Sequence, residues 1–361
     1  MHRSRWLLAA LPLLARALAP PVLKARLEAQ ETRIRELKKR CEDVLPAEDE
    51  AALLLDGYYP ALDRDQALDH WLLRFVDGVR DGIDLADAES TLRDSLAWRR
   101  GVGRIVLEKA QEAVNEASNA TADASASTTA RQKGRWRNAP VQRNLPHKFA
   151  VGEFLTDEQL TYVLDGQRAR LVCCIQGRRI DEDGLMRALE AQSSPDDPAM
   201  GCVDVEEAVD TLAMRRLQHS FLYSKAINAR VCALLSLKTG VMVTVVTVND
   251  LKDVALRSTK LAGQFRAALG GAARRGDRLF PTLAGPTIIA NLPKPIQILV
   301  GLVANLFPVS VRRFLTFARM DSLDGGLRRL LVEPDASAVF LDDVDGTIDK
   351  MLRRLPPNAK Q

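Results

Sequence analysis

The residue types through which a chain does chemistry are sparse in this one. Its four histidines, His2, His70, His147 and His219, are scattered, and none has a second histidine at metal-ligand spacing on an obvious helix or strand. The five cysteines, at 41, 173, 174, 202 and 232, contain no Cys-x-x-Cys pair and are too few for a disulfide scaffold. They read as buried thiols in a reducing compartment. The sequence has no Gly-x-x-x-x-Gly-Lys phosphate loop, no Gly-x-Ser-x-Gly elbow and no His-Glu-x-x-His pair, and Gly101-Val102-Gly103 lacks a third glycine and a preceding strand. The expectation is a non-enzyme with no metal and no cofactor.

What the chain offers instead is apolar surface, and the elements that carry it follow from composition. With 361 residues, 47% apolar and 27% charged, it is neither disordered, collagen-like nor polytopic, and it is long enough for a large domain with an appendage. The net charge of +4 is too balanced to imply nucleic-acid binding. Residues 1–27 carry five basic side chains and no acid around the apolar Trp6–Leu23 stretch, which Arg16 and three prolines make a poor membrane span. That pattern fits an organelle-targeting peptide and equally an amphipathic helix. A solvated helix is expected over 25–44 and a small helical module over 45–115, broken near Gly78 and Gly82. Residues 116–148 turn polar, with no acid between Ala124 and Gly152, and read as a flexible linker. Trp136 among Arg131, Lys133, Arg135, Arg137, Arg143 and Lys148 suits anionic headgroups; a plain spacer explains the same residues.

From Phe149 to about residue 355, β-favouring runs alternate with helical ones. Strands are expected at 170–176, 241–248, 287–290 and 313–318, and helices at 203–237, 257–275 and 295–307. This alternation predicts an α/β domain: a mixed, largely parallel sheet flanked by helices. The segment from Pro295 to Phe307 is apolar almost all round, only Gln297 and Asn305 being polar, and at 13 residues it is too short to span a bilayer. It is a buried core helix, a cavity wall or a membrane-interface helix.

Several segments occur in a telling order. Leu72-Leu73-Arg74-Phe75 and Ala97-Trp98-Arg99 precede Asp165-Gly166; then come Asp250-Leu251-Lys252, Leu279-Phe280-Pro281, Asn291-Leu292-Pro293 and the apolar helix. The series resembles the CRAL-TRIO lipid-binding family over about residues 50–350. That resemblance implies a helical N-terminal module, a mixed sheet and a mobile gate helix closing an apolar cavity. Residues matching its lining are Leu171, Cys173, Ile175, Val243, Val245, Thr247 and Ile289 from the strands, with Ile296, Leu299, Val303 and Phe307 from the gate. The chain departs from the family at specific places: Asp253 stands where the family has glycine, Thr282 where it has the glutamate of Tyr-Pro-Glu, Asp77 where it has an arginine and Arg313 where it has a lysine. In inositol-lipid binders that glutamate and lysine help hold the headgroup, so the loss of the acid counts against such cargo.

A second local likeness is set aside. Asp343-Val344-Asp345-Gly346-Thr347 resembles the nucleophile loop of haloacid-dehalogenase-type phosphatases, whose paired aspartates attack phosphate and protonate the leaving group. That chemistry needs a long α/β body after the loop, and only 346–361 follows it here. The expected function is binding, and intermembrane transfer, of a hydrophobic lipid by a cytoplasmic, peripheral membrane protein that touches anionic bilayers. The alternative is a non-catalytic membrane- or protein-docking scaffold with the same fold and an unused pocket.

Overall fold

A computed structural model describes residues 23–56, 64–77, 84–119, 141, 143–151, 154, 171–192, 211–254, 258–292 and 315–318. Residues 1–22, the breaks at Gly78 and Gly82, the 295–307 segment and the paired aspartates 343 and 345 lie outside the described residues.

The first part is helical: α1 (Leu23–Arg40), α2 (Glu48–Leu54), α3 (Arg64–Val76), α4 (Leu85–Arg100) and α5 (Arg104–Asn119). Helix α1 has a dry side as well as a wet one. Leu23, Ile34 and Leu37 are buried while Arg35–Glu31 and Arg40–Glu36 pair one turn apart on its surface. Asp84 caps α4 by accepting from the Ala86 amide. After α4 the chain turns across an indole, and a Cβ on Gly103 would sit 2.3 Å from the Trp98 ring, so only glycine fits there.

The expected linker is shorter than its composition suggests. Helix α5 runs to Asn119, and Val141 and Leu145 are buried, because these two apolar residues have a surface to cover. Arg143 pairs with Glu116, Tyr223 donates to the Val141 carbonyl at 3.0 Å, and Ser220 donates to the Pro146 carbonyl at 2.9 Å. The C-terminal end of the 116–148 segment is therefore docked, and it leads directly into the short helix α6 (Lys148–Val151).

The second part alternates: β1 (Leu171–Gln176), α7 (Glu182–Ala191), α8 (Leu212–Thr239), β2 (Val245–Asp250), α9 (Lys260–Leu279), β3 (Ala284–Ala290) and β4 (Leu315–Ala318). Asp181, Thr211 and Thr259 cap the three helices by accepting from amides three residues on, each worth about 1 kcal/mol. Helix α8 closes on Gly240 at φ 69°, the left-handed position that glycine takes without cost. The strands form one sheet in the order β1-β2-β3-β4, and every pairing is parallel. The architecture is thus mostly helical, with an α/β part built on a parallel sheet.

Sequential order constrains where the connections run. Parallel crossovers are right-handed, so successive ones from neighbouring strands pass over the same face. Helices α7, α8 and α9 accordingly pack on one another as a single layer. Register assigns Leu171, Cys173 and Ile175, then Val245, Thr247 and Asn249, then Thr287 and Ile289, to one sheet face. Leu171, Cys173 and Val245 share a continuous core with Leu185, Met214 and Phe265 of the helices, which makes this the helix-covered face. On the opposite face Val246, Val248, Ile288 and Ala290 are also buried. Strands dry on both faces explain the unbroken apolar runs in the sequence.

One core joins the helical module to the α/β part, running without interruption from Leu23 to Leu283. At its centre is an ion pair. Arg99 is fully buried and its guanidinium forks onto Asp56 at 2.9 and 2.8 Å. The same group donates to the Leu54 carbonyl at 2.7 Å and to Ser95 at 3.1 Å, and lies 4.9 Å from the Phe280 ring centre and 5.2 Å from that of Trp71. Trp71 donates to the second oxygen of Asp56, and Ser95 donates to the Leu279 carbonyl at the end of α9. Helices α2, α3, α4 and α9 thus meet on two side chains. Removing one member of a buried, satisfied pair strands the other charge, so Asp56→Ala is expected to cost about 3–5 kcal/mol in urea unfolding. Glu50→Ala, which breaks the half-exposed Arg100–Glu50 fork, is expected to cost below about 1 kcal/mol. Equal losses for the two variants would contradict this assignment.

Candidate functional site

All four strands run the same way, so their C-terminal ends line one edge, and the connections that follow build it. Gly177 follows β1 directly, and a Cβ there would meet the Val254 side chain at 2.8 Å; the glycine lets the β1 and β2 connections touch. β2 ends in Asp250, a buried carboxylate whose Oδ1 accepts from the Lys252 amide at 3.1 Å and from the Asn291 side-chain amide at 2.9 Å. Asn291 is the first residue after β3, so Asp250 laces two neighbouring strand ends together. Asp253 and Asn291 both take left-handed backbone, at φ 57° and 54°, a conformation that Asp and Asn tolerate better than most residues. Arg178 lies 3.9 Å from Asp253, a weak, outward-facing pair.

The expected lining residues divide along their strands. At the N-terminal half of the helix-covered face Leu171 is 0%, Cys173 7% and Val245 6% exposed, and all three are consumed by core packing. Burial pushes the Cys173 thiol up to about 11, so it is a neutral thiol at physiological pH. Thr247 and Thr287, in register with Cys173, are only half-buried, and so are Ile175, Asn249 and Ile289 in the row nearest the C-terminal ends. The structure therefore brings six expected residues, Leu171, Cys173, Ile175, Val245, Thr247 and Ile289, onto one face, and only its C-terminal half is partly open.

Val243 requires a correction. The β2 ladder begins at Val245, and Val243 precedes it in the connection from the Gly240 cap, buried in the core. Its amide N–H donates to Ser236 Oγ at 2.9 Å, while its carbonyl accepts from Arg74. Ile296, Leu299, Val303 and Phe307 lie outside the described residues.

The other segments that carried the resemblance converge elsewhere. Thr282, at φ 54°, gives its hydroxyl to the Arg74 carbonyl at 3.2 Å; Trp98 meets Phe280 edge to face at 5.9 Å; and Arg99 covers Phe280. Leu72–Phe75, Trp98-Arg99 and Leu279–Thr282 thus form the seam between the helical module and the sheet. Thr282 serves that seam.

Two features had no sequence signal. His147 Nε2 lies 3.3 Å from His219 Nδ1, although 72 residues separate them, and His147 Nδ1 lies 3.0 Å from the Gln192 side-chain oxygen. Asp56 and its partner Arg99 likewise become neighbours only through tertiary packing. Among the described residues no group of three or more His, Cys, Asp or Glu side chains is placed to hold a metal, and no helix is long and apolar enough to cross a membrane.

No family model and no curated protein matches the sequence.

The left-handed turn after β2 makes a direct test of the edge. Asp253→Gly removes the steric cost of that φ and gives up only the weak contact with Arg178, so stability should stay level or rise by up to about 1 kcal/mol in thermal unfolding. A loss above that size would mean the Asp253 side chain has a further role at this edge.

Proposed function

We propose that the chain binds a hydrophobic lipid against the C-terminal half of its helix-covered sheet face, as a divergent protein of the CRAL-TRIO type. The observation that carries this reading is the loss of cover along that face: Leu171 and Val245 in the first row are closed off, the middle row is buried at Cys173 and half-buried at Thr247 and Thr287, and Ile175, Asn249 and Ile289 in the last row are all half-buried. In open parallel sheets, ligands sit at the carboxyl ends of the strands, the half left open here.

The chain between β3 and β4, residues 291–314, contains the apolar 295–307 segment, and the CRAL-TRIO resemblance makes Ile296, Leu299, Val303 and Phe307 the wall that faces the lipid. The energetic requirement is definite. Each lipid methylene taken out of water is worth about 0.8 kcal/mol, so a 16-carbon tail needs apolar contact worth roughly 12 kcal/mol. Thr247, Thr287 and Asn249 are the polar strand residues of the half-buried rows, suited to fixing orientation. Among the described strand residues of that face none is charged, which favours a lipid with a small or uncharged headgroup over an inositol phosphate.

A contact with anionic membrane is proposed at α6, where Phe149 is 78% exposed and the Lys148 ammonium lies 5.3 Å from its ring. An aromatic ring beside a basic group, following the acid-free 124–152 stretch, suits the interface of a bilayer that carries negative charge. The docking-scaffold alternative draws on the closed N-terminal half of the face, which is what an unused pocket would look like throughout.

Exchange of a fluorescent lipid between vesicles separates the two. Leu299→Glu should lower the exchange rate at least tenfold while leaving the far-UV circular dichroism unchanged, because a carboxylate in the wall opposes an apolar tail. Unchanged exchange would remove the 295–307 segment from the site; no exchange by the wild-type chain would leave the scaffold reading.

A further inference from the structure

Among the described residues, the buried charges around Asp56 do not balance. Arg74, Arg99 and Arg230 are all buried, yet Asp56 is the carboxylate that acts on them, and its two oxygens are taken by Arg99 and Trp71. Arg230 satisfies itself in part on the Ala52 carbonyl at 2.9 Å. Arg74 fares worst. It is 7% exposed, and its Nη2 reaches only neutral acceptors, the Val243 carbonyl at 3.2 Å and Ser236 Oγ at 3.4 Å. Its Nη1 is buried without a hydrogen-bond partner.

Arg74 lines a small cavity of about 20 Å³ between α3, the end of α8 and the start of α1. A second orphan lies in the same wall, since His70 Nδ1 is also buried with no partner. The rest of the lining is Ser236 and apolar side chains, Leu23, Trp71, Ala233 and Met242 among them. Ser236 has no hydrogen to offer: its hydroxyl donates to the Cys232 carbonyl and its oxygen already accepts from Val243 N and Arg74 Nη2. With His70 as its Nδ1–H tautomer, the lining side chains present donors and a positive charge, and no free acceptor.

We propose that this cavity binds one monovalent inorganic anion of halide size, held between Arg74 Nη1 and the Nδ1–H of His70. A halide accepts both donors and needs to donate nothing, whereas a water accepting the same two bonds would aim its own hydrogens at leucine, methionine and indole. The ion neutralises a guanidinium that is otherwise alone in a low-dielectric setting, where unpaired charge is least tolerated. The small volume suits a single particle the size of a water or a halide. Arg74 belongs to the helical module and the Val243 carbonyl leads into β2, so the ion strengthens the seam between the two parts of the fold.

The test is thermal unfolding of the full chain in sodium chloride, sodium bromide and sodium gluconate at equal ionic strength, for the wild type and for Arg74→Met. Binding to the folded state alone raises Tm, and both halides should lift the wild type by roughly 2 °C over gluconate and leave Arg74→Met unmoved. Equal wild-type Tm values in the three salts, or a halide gain that persists in Arg74→Met, would overturn the proposal. Should Arg74→Met fail to fold, a bromide-soaked crystal of the wild type decides: an anomalous peak in the cavity within hydrogen-bond distance of Arg74 Nη1 supports the site, and density for a water with no peak refutes it.

Discussion

Arg99 has no solvent to fall back on. Every bond its guanidinium makes is internal, to Asp56, to Ser95 and to the Leu54 and Leu279 carbonyls, and the apolar sides of the group are covered by Trp71 and Phe280. A charge in that position is tolerable only when the chain segments bearing its partners arrive together, since each missing partner leaves a desolvated group unpaid. The pair therefore acts as a condition on assembly. The segment after α2, helices α3 and α4 and the end of α9 must all be in place at once, and β3 begins five residues after α9 ends. The helical module is thereby a structural half of the sheet domain, and its position fixes where β2 and β3 enter the sheet.

What that assembly leaves open matters for function. Helices α7, α8 and α9 cover the sheet face tightly over the N-terminal ends of the strands, and the cover loosens toward the C-terminal ends. Asp250 and Asn291 knit the ends of β2 and β3 together. A lipid reading needs a rigid floor and a separate wall, and the two ends of this face differ in the corresponding way. The closed rows supply stiffness, and the half-buried Ile175 and Ile289 supply apolar floor.

Much of the scaffold was legible from the residues. Runs such as Leu171–Gln176 and Val245–Asp250 announce strands because β-branched and apolar side chains without helical periodicity fit little else, and their alternation with long helices implies parallel pairing. Alternate residues of these runs correctly fall on one face, since strand periodicity is two. Where along that face the helices press hardest was not legible, because it depends on helix placement; Leu171, Cys173 and Val245 carry no mark that separates them from Ile175 and Ile289. Val243 was misplaced because the valine run extends past the point where the chain leaves its Gly240 turn and joins the ladder. Leu72–Phe75 and Trp98-Arg99 signalled a helical module, but not that their arginines would be its buried attachments. Asp56 and the His147–His219 contact are products of packing across long separations, and no local pattern marks either.

The account stands on apolar capacity at the open end of the sheet, and the mass of the intact protein reports that capacity most directly. Native mass spectrometry of the purified full chain, without added ligand, should show a second species heavier by several hundred daltons that disappears on organic extraction, with a lipid recovered in the extract. A single species at the mass of the polypeptide, unchanged after incubation with lipid vesicles, would contradict it.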